Sequence, residues 1–317
     1  MTEPTDRRAL GRTGLAVSPV CVGTSPLASM PQLYGYEVSA ARAQDTIRAV
    51  LDSPFNFLDT SNSYGGGTAE ERIGHVLAEV GALPPGFVLA TKVDADPQTG
   101  NFSGDRVKRS AQESLRRLGL DRIQLMYLHD PEFHLTFEQA MAPGGAMAAL
   151  TGLRDQGVVG HLGVAGGDVP LLRQFAATGL LDVVLNHNRF TLVDRSAGPL
   201  IDDCAQLGLA FVNAAPYGGG MLVKGPEVQP DYAYRRVHEQ VKDAVRAMQR
   251  ACAGYGVPLA AAALQFSVRD PRVTSTVVGV SEPGRVKDLE TLLAVPVPAE
   301  LWDELETLAP DPDYWLT

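Results

Sequence analysis

Short runs of apolar, often β-branched residues alternate with longer stretches in which apolar positions recur every three to four residues. The alternation continues along almost the whole chain. The short runs are Pro19–Thr24 (PVCVGT), Phe55–Asp59 (FNFLD), Phe87–Lys92 (FVLATK), Ile123–His129 (IQLMYLH), Gly160–Ala165 (GHLGVA), Leu181–His187 (LDVVLNH), Gly208–Ala214 (GLAFVNA) and Ser275–Val280 (STVVGV). They are nearly continuous in apolar character, as expected of strands covered on both faces in a parallel sheet. The helical stretches between them are Ala41–Asp52, Ala69–Val80, Asp105–Leu118, Gly145–Gln156, Val169–Ala177, Ser196–Leu207, Tyr234–Tyr255 and Pro283–Leu293. In Asp105–Leu118 the residues Val107, Ala111, Leu115 and Leu118 share one face. Glycines follow several of these stretches, at 81, 119, 157, 179, 208 and 256, where a helix would stop. Eight strand–helix units in one chain fit a (β/α)8 barrel better than an open sheet.

Two additions flank the units. Arg7–Pro19 (RRALGRTGLAVSP) carries a GRTG turn between short extended pieces and predicts a hairpin that plugs the barrel's bottom. Pro298–Ala309 predicts a ninth, added helix, followed by a tail ending Tyr314-Trp315-Leu316-Thr317. No linker or shift in composition divides the chain, so residues 1–317 are expected to form a single domain.

Composition narrows the function. Of the 317 residues 45% are hydrophobic and 20% charged, which supplies ample core. A net charge of −10 argues against a nucleic-acid backbone or an anionic membrane as partner, since both reward basic patches. Cys21, Cys204 and Cys252 are too few and too scattered for a disulfide framework or a metal site, and fit free thiols in a reducing cytoplasm. The first residues lack the apolar stretch of a signal peptide, and no apolar run approaches the ~20 residues of a membrane span.

Asp59, Tyr64, Lys92 and His129 change the picture most. Each stands at, or just past, the end of a predicted strand, and barrel enzymes carry their chemistry at that end. Singly, a Tyr there is usually packing, a Lys a solvated group and a His a rim residue. Together they form a constellation with a purpose. A Tyr can carry a proton to a carbonyl only if a cation lowers its pKa, and a Lys held by an Asp supplies one.

Along nearly its whole length the chain resembles the aldo-keto reductases. LGRTGLAVSPVCVGT is similar to the family's opening, and FNFLDTSNSYGGGTAEERIG to its strand-2 signature, with the Asp and Tyr five apart. ATK and YLHDP supply the Lys and the His. DVVLNHNRFTLVDRSA and APYGGGML resemble the strand-6 and strand-7 segments of a bacterial subgroup. That subgroup includes aldose 1-dehydrogenases of the L-fucose/D-threo-aldose type, L-galactose dehydrogenase and pyridoxal 4-dehydrogenase. The resemblance implies hydride exchange between a nicotinamide and a sugar, alcohol or aldehyde. Tyr64 would be the proton donor or acceptor, Lys92 its cation, Asp59 the anchor of Lys92, and His129 the group that orients the substrate oxygen.

It also implies a cofactor site of Gly23, Thr24, Asp59, His187, Pro216, Tyr217, Gly218, Gly220, Gly279, Ser281 and Arg285. The pattern departs from the family in places. Ala165 and Gly166 stand where a Ser-Asn pair often binds the nicotinamide amide, and His187 where a Gln does. An aromatic is lost near Ala214, for which Tyr217 could substitute. Gly279 and Val280 replace the Lys and Ser that hold a 2′-phosphate, Glu282 adds a carboxylate, and Leu289 replaces an Asn, while Arg285 matches the family's Arg. These changes favour NAD, or dual use, over strict NADP. Tyr36 and Phe133 are expected to line the substrate pocket with Tyr64 and His129. Tyr34, His134, Phe190, Tyr232 and Trp315 are further lining candidates. The partner is a small-molecule sugar or aldehyde, and the protein is expected to be a monomer or small homo-oligomer. Two other classes compete. A metal-dependent barrel enzyme is disfavoured because the six histidines show no ligand spacing, and a non-enzymatic regulatory barrel because all four residues are present.

Overall fold

The computed structural model describes residues 6–316. Eight parallel strands close into a barrel. They are β1 (Val20–Gly23), β2 (Phe57–Asp59), β3 (Val88–Val93), β4 (Ile123–His129), β5 (Val159–Gly166), β6 (Val183–His187), β7 (Ala210–Ala214) and β8 (Val273–Gly279). Each strand pairs with the next, and β8 pairs with β1 to complete the ring. All eight predicted strands are present, with ends shifted by up to two residues. The register aligns the strand ends that matter: Gly23 lies opposite both Asp59 and Gly279, and Lys92 opposite Tyr127.

Among the described residues, ten main helices surround the barrel: α1 (Ala40–Leu51), α2 (Thr68–Val80), α3 (Gly104–Leu118), α4 (Ala146–Asp155), α5 (Val169–Ala176), α6 (Gly198–Leu207), α7 (Glu239–Gly254), α8 (Leu259–Val268), α9 (Pro283–Ala294) and α10 (Ala299–Thr307). Ser39, Ser103 and Asp168 cap α1, α3 and α5 by accepting a backbone N–H three residues on. The six glycines expected at helix ends all have positive φ, which other residues adopt at a cost.

Two elements differ from expectation. The helix predicted from Tyr234 begins at Glu239, because Asp231–Tyr232 and Arg235–Arg236 pair as a small hairpin. Its two turn residues, Ala233 and Tyr234, both have positive φ, the conformation of a tight hairpin turn. Between β7 and β8 the helix α8 is additional. Its sequence, LAAAALQFSV, has no polar face to reveal it. Ala261, Ala262, Ala263 and Leu264 in its middle are all buried.

The N-terminal hairpin forms as expected, with Arg8–Ala9 paired to Ala16–Val17. Leu10 and Val17 enter the barrel and pack with Phe57, Val88, Leu125, Tyr127, Val183 and Ala210. Full burial of such side chains contributes about 1.5–3 kcal/mol each. Arg8 donates to the carbonyls of Val268 and Val273, and Arg12 to that of Leu181. One end of the barrel is thus sealed with apolar groups, and polar side chains collect at the other. The added helix α10 also forms, and beyond it the backbone N–H of Leu316 donates to Asp194. Among the described residues, no single helix is long and apolar enough to cross a membrane.

Candidate active site

Lys92 sits one position from the end of β3 with its side chain 2% exposed, a position an ammonium group tolerates only if fully bonded. Its Nζ donates to Asp59 Oδ1 at 2.6 Å and to the Thr60 carbonyl at 2.7 Å, and lies 3.1 Å from the Tyr64 hydroxyl. The ammonium also stands 4.7 Å from the centre of the Tyr64 ring. The five-residue spacing of Asp59 and Tyr64 works because the chain turns back directly after β2. Gly65, Gly66 and Gly67 follow the tyrosine, all with positive φ. A side chain at Gly65 would meet the Ala28 carbonyl at 2.8 Å, and one at Gly67 would strike the Arg117 guanidinium. Arg117 in turn donates to the Asn62 carbonyl and to buried Glu70, which closes the turn from behind.

His129 ends β4 beside Tyr64, ring edge to ring face with centres 5.8 Å apart. Its Nδ1 is 2.6 Å from Asp94 Oδ1, and its Nε2 faces Asp130 Oδ2 at 3.7 Å. Asp94, buried just past β3, also accepts from the Ser61 hydroxyl at 2.6 Å and the Ser63 backbone N–H at 3.0 Å. Burial lowers the His129 pKa, but the charges of Asp130 and Asp94 and the bond to Asp94 outweigh it, so the imidazole keeps its proton above its ordinary range. Burial raises the Asp94 pKa, yet the histidine and the hydroxyl and amide donors bring it below the usual carboxylate range.

Tyr64 differs from expectation. Burial, followed by the charges of Asp59, Tyr34, Asp130 and Asp94, pushes its phenol well above the ordinary range. The expected lowering by Lys92 does not prevail, because burial of the phenol and three carboxylates around one ammonium outweigh it. Tyr64 is therefore a neutral O–H at physiological pH.

The other predicted residues divide. Gly23, Gly279 and Thr24 lie together on the β8–β1–β2 rim, with Thr24 Oγ1 donating to the Asp59 carbonyl. Pro216, Tyr217, Gly218 and Gly220 follow β7. Gly218, Gly219 and Gly220 have successive positive φ values of 55°, 72° and 105°. Ser281 lies just before α9 and Arg285 in its first turn, where Arg285 meets Glu282 at 3.5 Å and Asp288 at 3.4 Å. His187 ends β6 and faces Asp130 Oδ1 at 3.5 Å. Tyr36 stacks on Tyr34, whose hydroxyl donates to Ser25. Phe133, by contrast, is 70% exposed. Phe190 and Tyr232 are not lining residues. Phe190 packs on Phe266, and Tyr232 is buried with its hydroxyl bonded to Asn188 and Thr191.

Asp94, Ser61, Asp130 and Tyr234 are absent from the expected set. Tyr234 sits edge-on to Tyr34 at 6.3 Å and brings the small hairpin to the mouth. Asp94 could have been found from strand alternation, which puts residues 92 and 94 on one face. Asp130, Glu132 and His187 present one donor atom each within 4.8 Å of one another, a grouping that ligand spacing in sequence does not reveal. Glu132 is engaged by the backbone amides of Gly167 and Asp168.

Known proteins are similar to this chain along nearly its whole length. Pyridoxal 4-dehydrogenase of Microbacterium luteolum is 30% identical, covering 95% of this chain and 97% of its own. D-threo-aldose 1-dehydrogenase of a Pseudomonas species is 29% identical over 96% of each chain. L-galactose dehydrogenase of Arabidopsis thaliana is 30% identical over 95% of this chain and 92% of its own. The model of the aldo/keto reductase family matches residues 19–310. The chain therefore belongs to the aldo/keto reductase family and is an oxidoreductase, of a family whose dehydrogenases use NAD(P)H.

Proposed function

We propose that the protein is an aldose 1-dehydrogenase of the L-fucose/D-threo-aldose type, oxidising a sugar hemiacetal to a lactone with NAD or with either dinucleotide. The observation that carries the chemistry is the chain from buried Asp59 and Lys92 to half-buried Tyr64, beside His129. Two of the three relatives described above are named for sugar oxidation. In this reading Tyr64 gives a proton to the carbonyl oxygen during reduction and removes it from the hydroxyl during oxidation. Asp59 fixes Lys92, Lys92 stabilises the phenolate as it forms, and His129 orients the substrate oxygen. The bound nicotinamide supplies or accepts the hydride. Because the phenol is held high, the reduction keeps its acid over the physiological range, and the oxidation is expected to rise with pH.

Several features fit a dinucleotide. Gly23 and Gly279 are neighbours on the rim, where a Cβ at 23 would meet Val277 and one at 279 would meet Pro26, each at 3.0 Å. Asp59 Oδ2 and Thr60 Oγ1 are buried without a partner among the described residues. The three glycines after β7 expose backbone to an approaching pyrophosphate. Gly23, Thr24, Asp59, His187, Pro216, Tyr217, Gly218, Gly220, Gly279, Ser281 and Arg285 are the residues we assign to it. Arg285 is shared between Glu282 and Asp288, which supports NAD or dual use over strict NADP. Tyr36 is retained as a substrate contact; Phe133 would need to fold inward from its exposed position.

The same reading takes residues 1–317 as one catalytic domain, working in the cytoplasm as a monomer or small homo-oligomer without nucleic-acid or membrane partners. The three free, buried cysteines support a reducing compartment. A second reading, pyridoxal 4-dehydrogenase, is favoured by the aromatic group Tyr34, Tyr36 and Tyr234 at the mouth, which suits a pyridine ring. Assaying aldoses, pyridoxal and small aldehydes or alcohols against NAD and NADP at the reduced-nicotinamide absorbance decides between them. Turnover of L-fucose or a related aldose above pyridoxal is expected. Pyridoxal alone would establish the second reading, and no turnover of any class would overturn both.

A further inference from the structure

Asp94 belongs to none of the roles assigned above, yet it is among the most completely bonded side chains at the mouth. Its two oxygens are divided between two tasks. Oδ2 accepts the Ser61 hydroxyl at 2.6 Å and the Ser63 backbone N–H at 3.0 Å. Oδ1 faces His129 Nδ1 at 2.6 Å. The aspartate backbone is held as well: its N–H donates to Ser110 Oγ, and its carbonyl accepts from Arg106 Nε. Arg106 is in turn paired with Glu113.

This geometry fixes where the histidine proton sits. A carboxylate oxygen 2.6 Å from a ring nitrogen needs a proton between them, since two lone pairs at that distance repel. Ser61 lies 3.1 Å from the same nitrogen, but its hydroxyl proton is directed to Asp94. Nδ1 therefore carries the hydrogen, and neutral His129 has a bare Nε2 at the mouth. Asp130 Oδ2, which faces Nε2, stands back at 3.7 Å, beyond hydrogen-bond reach. A bare nitrogen can accept a hydrogen bond from a substrate hydroxyl, but it cannot donate one to a carbonyl.

We propose that Asp94 is a positioning residue that fixes this tautomer, so that His129 can donate to a carbonyl oxygen during reduction only as the imidazolium. The inference rests on the reading of His129 as the group that orients the substrate oxygen. The groups facing His129 agree with it. Asp94, just past β3, and Asp130, beyond β4, favour the charged ring; Lys92 on β3 opposes it, and Tyr64 meets it as a neutral phenol. His187 on β6 acts through Asp130. The balance holds the proton on above the ordinary histidine range, which widens the pH range of the donor form. Reduction then falls as pH rises through the His129 pKa, while oxidation, served by the bare nitrogen, does not.

Asp94→Asn is the informative change. The Ser63 N–H requires an acceptor at the Oδ2 position, so the amide oxygen must sit there and the NH2 must face His129. Nδ1 then has to accept, and the ring proton moves to Nε2. In serine proteases, replacing the buried triad aspartate with asparagine leaves the geometry intact and puts the histidine in the wrong tautomer in the same way. Nitrogen-15 NMR of the histidines, on the chain without substrate or cofactor, is expected to show neutral His129 protonated at Nδ1 in the natural protein and at Nε2 in Asp94→Asn. The pH profile of carbonyl reduction is expected to lose its His129-dependent alkaline decline in the variant, with a maximal rate ~10- to ~10²-fold lower. A structural role alone would lower the rate without moving that limb. Finding the neutral ring of His129 protonated at Nε2 rather than Nδ1 in the natural protein overturns the proposal, and that measurement needs no variant to fold. An unchanged pH profile in Asp94→Asn overturns it as well. The tautomer is read without turnover, so failure of the substrate assignment leaves this arm decisive.

Discussion

At the ends of β2, β3 and β4 charged side chains are buried against one another, while at the ends of β7 and β8 side chains are missing and backbone is bare. The first rim holds Asp59, Lys92, Tyr64, Asp94 and His129, each bonded to a named partner. The second holds Gly218, Gly219, Gly220 and Gly279. Buried charges are intolerant, because removing one leaves its partner unpaired in a low dielectric. Bare backbone is intolerant in another way, since added atoms meet neighbours and positive φ resists a side chain. On the proposed function, side chains carry the chemistry on one rim, and bare backbone receives the dinucleotide on the other.

The contrast is sharpest at Lys92. Lys92→Met is expected to reduce turnover by ~10³-fold or more and to cost about 3–5 kcal/mol of stability, because Asp59 is left buried and unpaired. Assays with thermal unfolding would show both; a stable, active variant would break the comparison. Tyr64→Phe keeps the ring and removes the proton. At least ~10²-fold loss of turnover is expected, with dinucleotide binding nearly unchanged by fluorescence titration. Near-normal turnover would exclude Tyr64 as the proton carrier.

On the second rim the expected effects are smaller. Gly218→Ala would place a Cβ 2.1 Å from the Tyr232 ring, which its hydroxyl bonds hold in place. About 2 kcal/mol or more of stability should be lost, and dinucleotide binding weakened roughly tenfold. Gly66→Ala, on the first rim, meets nothing within 4 Å and should lose only the roughly 1 kcal/mol of its positive φ. Equal melting temperatures for the two variants would erase the distinction. The smallest effect concerns the 2′-phosphate. NADH is expected to bind at least as tightly as NADPH, and Gly279→Lys to move preference toward NADPH by at most about one to two decades. That lysine must displace Pro26, 3.0 Å from its Cβ, which moderates the gain. Clearly tighter NADPH binding by the natural protein would mean that Arg285 outweighs the missing lysine.

The two rims are also unequally legible in the sequence. Asp59, Lys92 and His129 end apolar runs, so the strand pattern points to them directly. The barrel is legible for the same reason, since its strands are continuous apolar blocks. Asp94 reads in isolation as a solvated turn residue, and only the pairing of β3 with β4, Val93 opposite Leu128, brings His129 against it. Helix α8 escapes because its burial removes the polar face that marks a helix. Tyr232 and Phe190 read as pocket aromatics, but a tyrosine hydroxyl satisfied by Asn188 and Thr191 belongs equally well to a core. The high pKa of Tyr64 is hidden from the sequence, because the burial that raises it and the carboxylates that add to it, Asp59, Asp130 and Asp94, arise only in three dimensions.

The plug that seals the barrel floor carries a consequence for how the molecule is made. Arg8 is anchored on carbonyls 260 and 265 residues away, and the hydroxyl of Ser275 donates to the Ser18 carbonyl. β1 gains its second neighbour only from β8. On a ribosome, the earliest strand must therefore wait, with one edge unpaired, until nearly the last is synthesised. Closing so long a loop is slow, and an open strand edge invites wrong partners. Closing the barrel requires strands from opposite ends of the fold to meet.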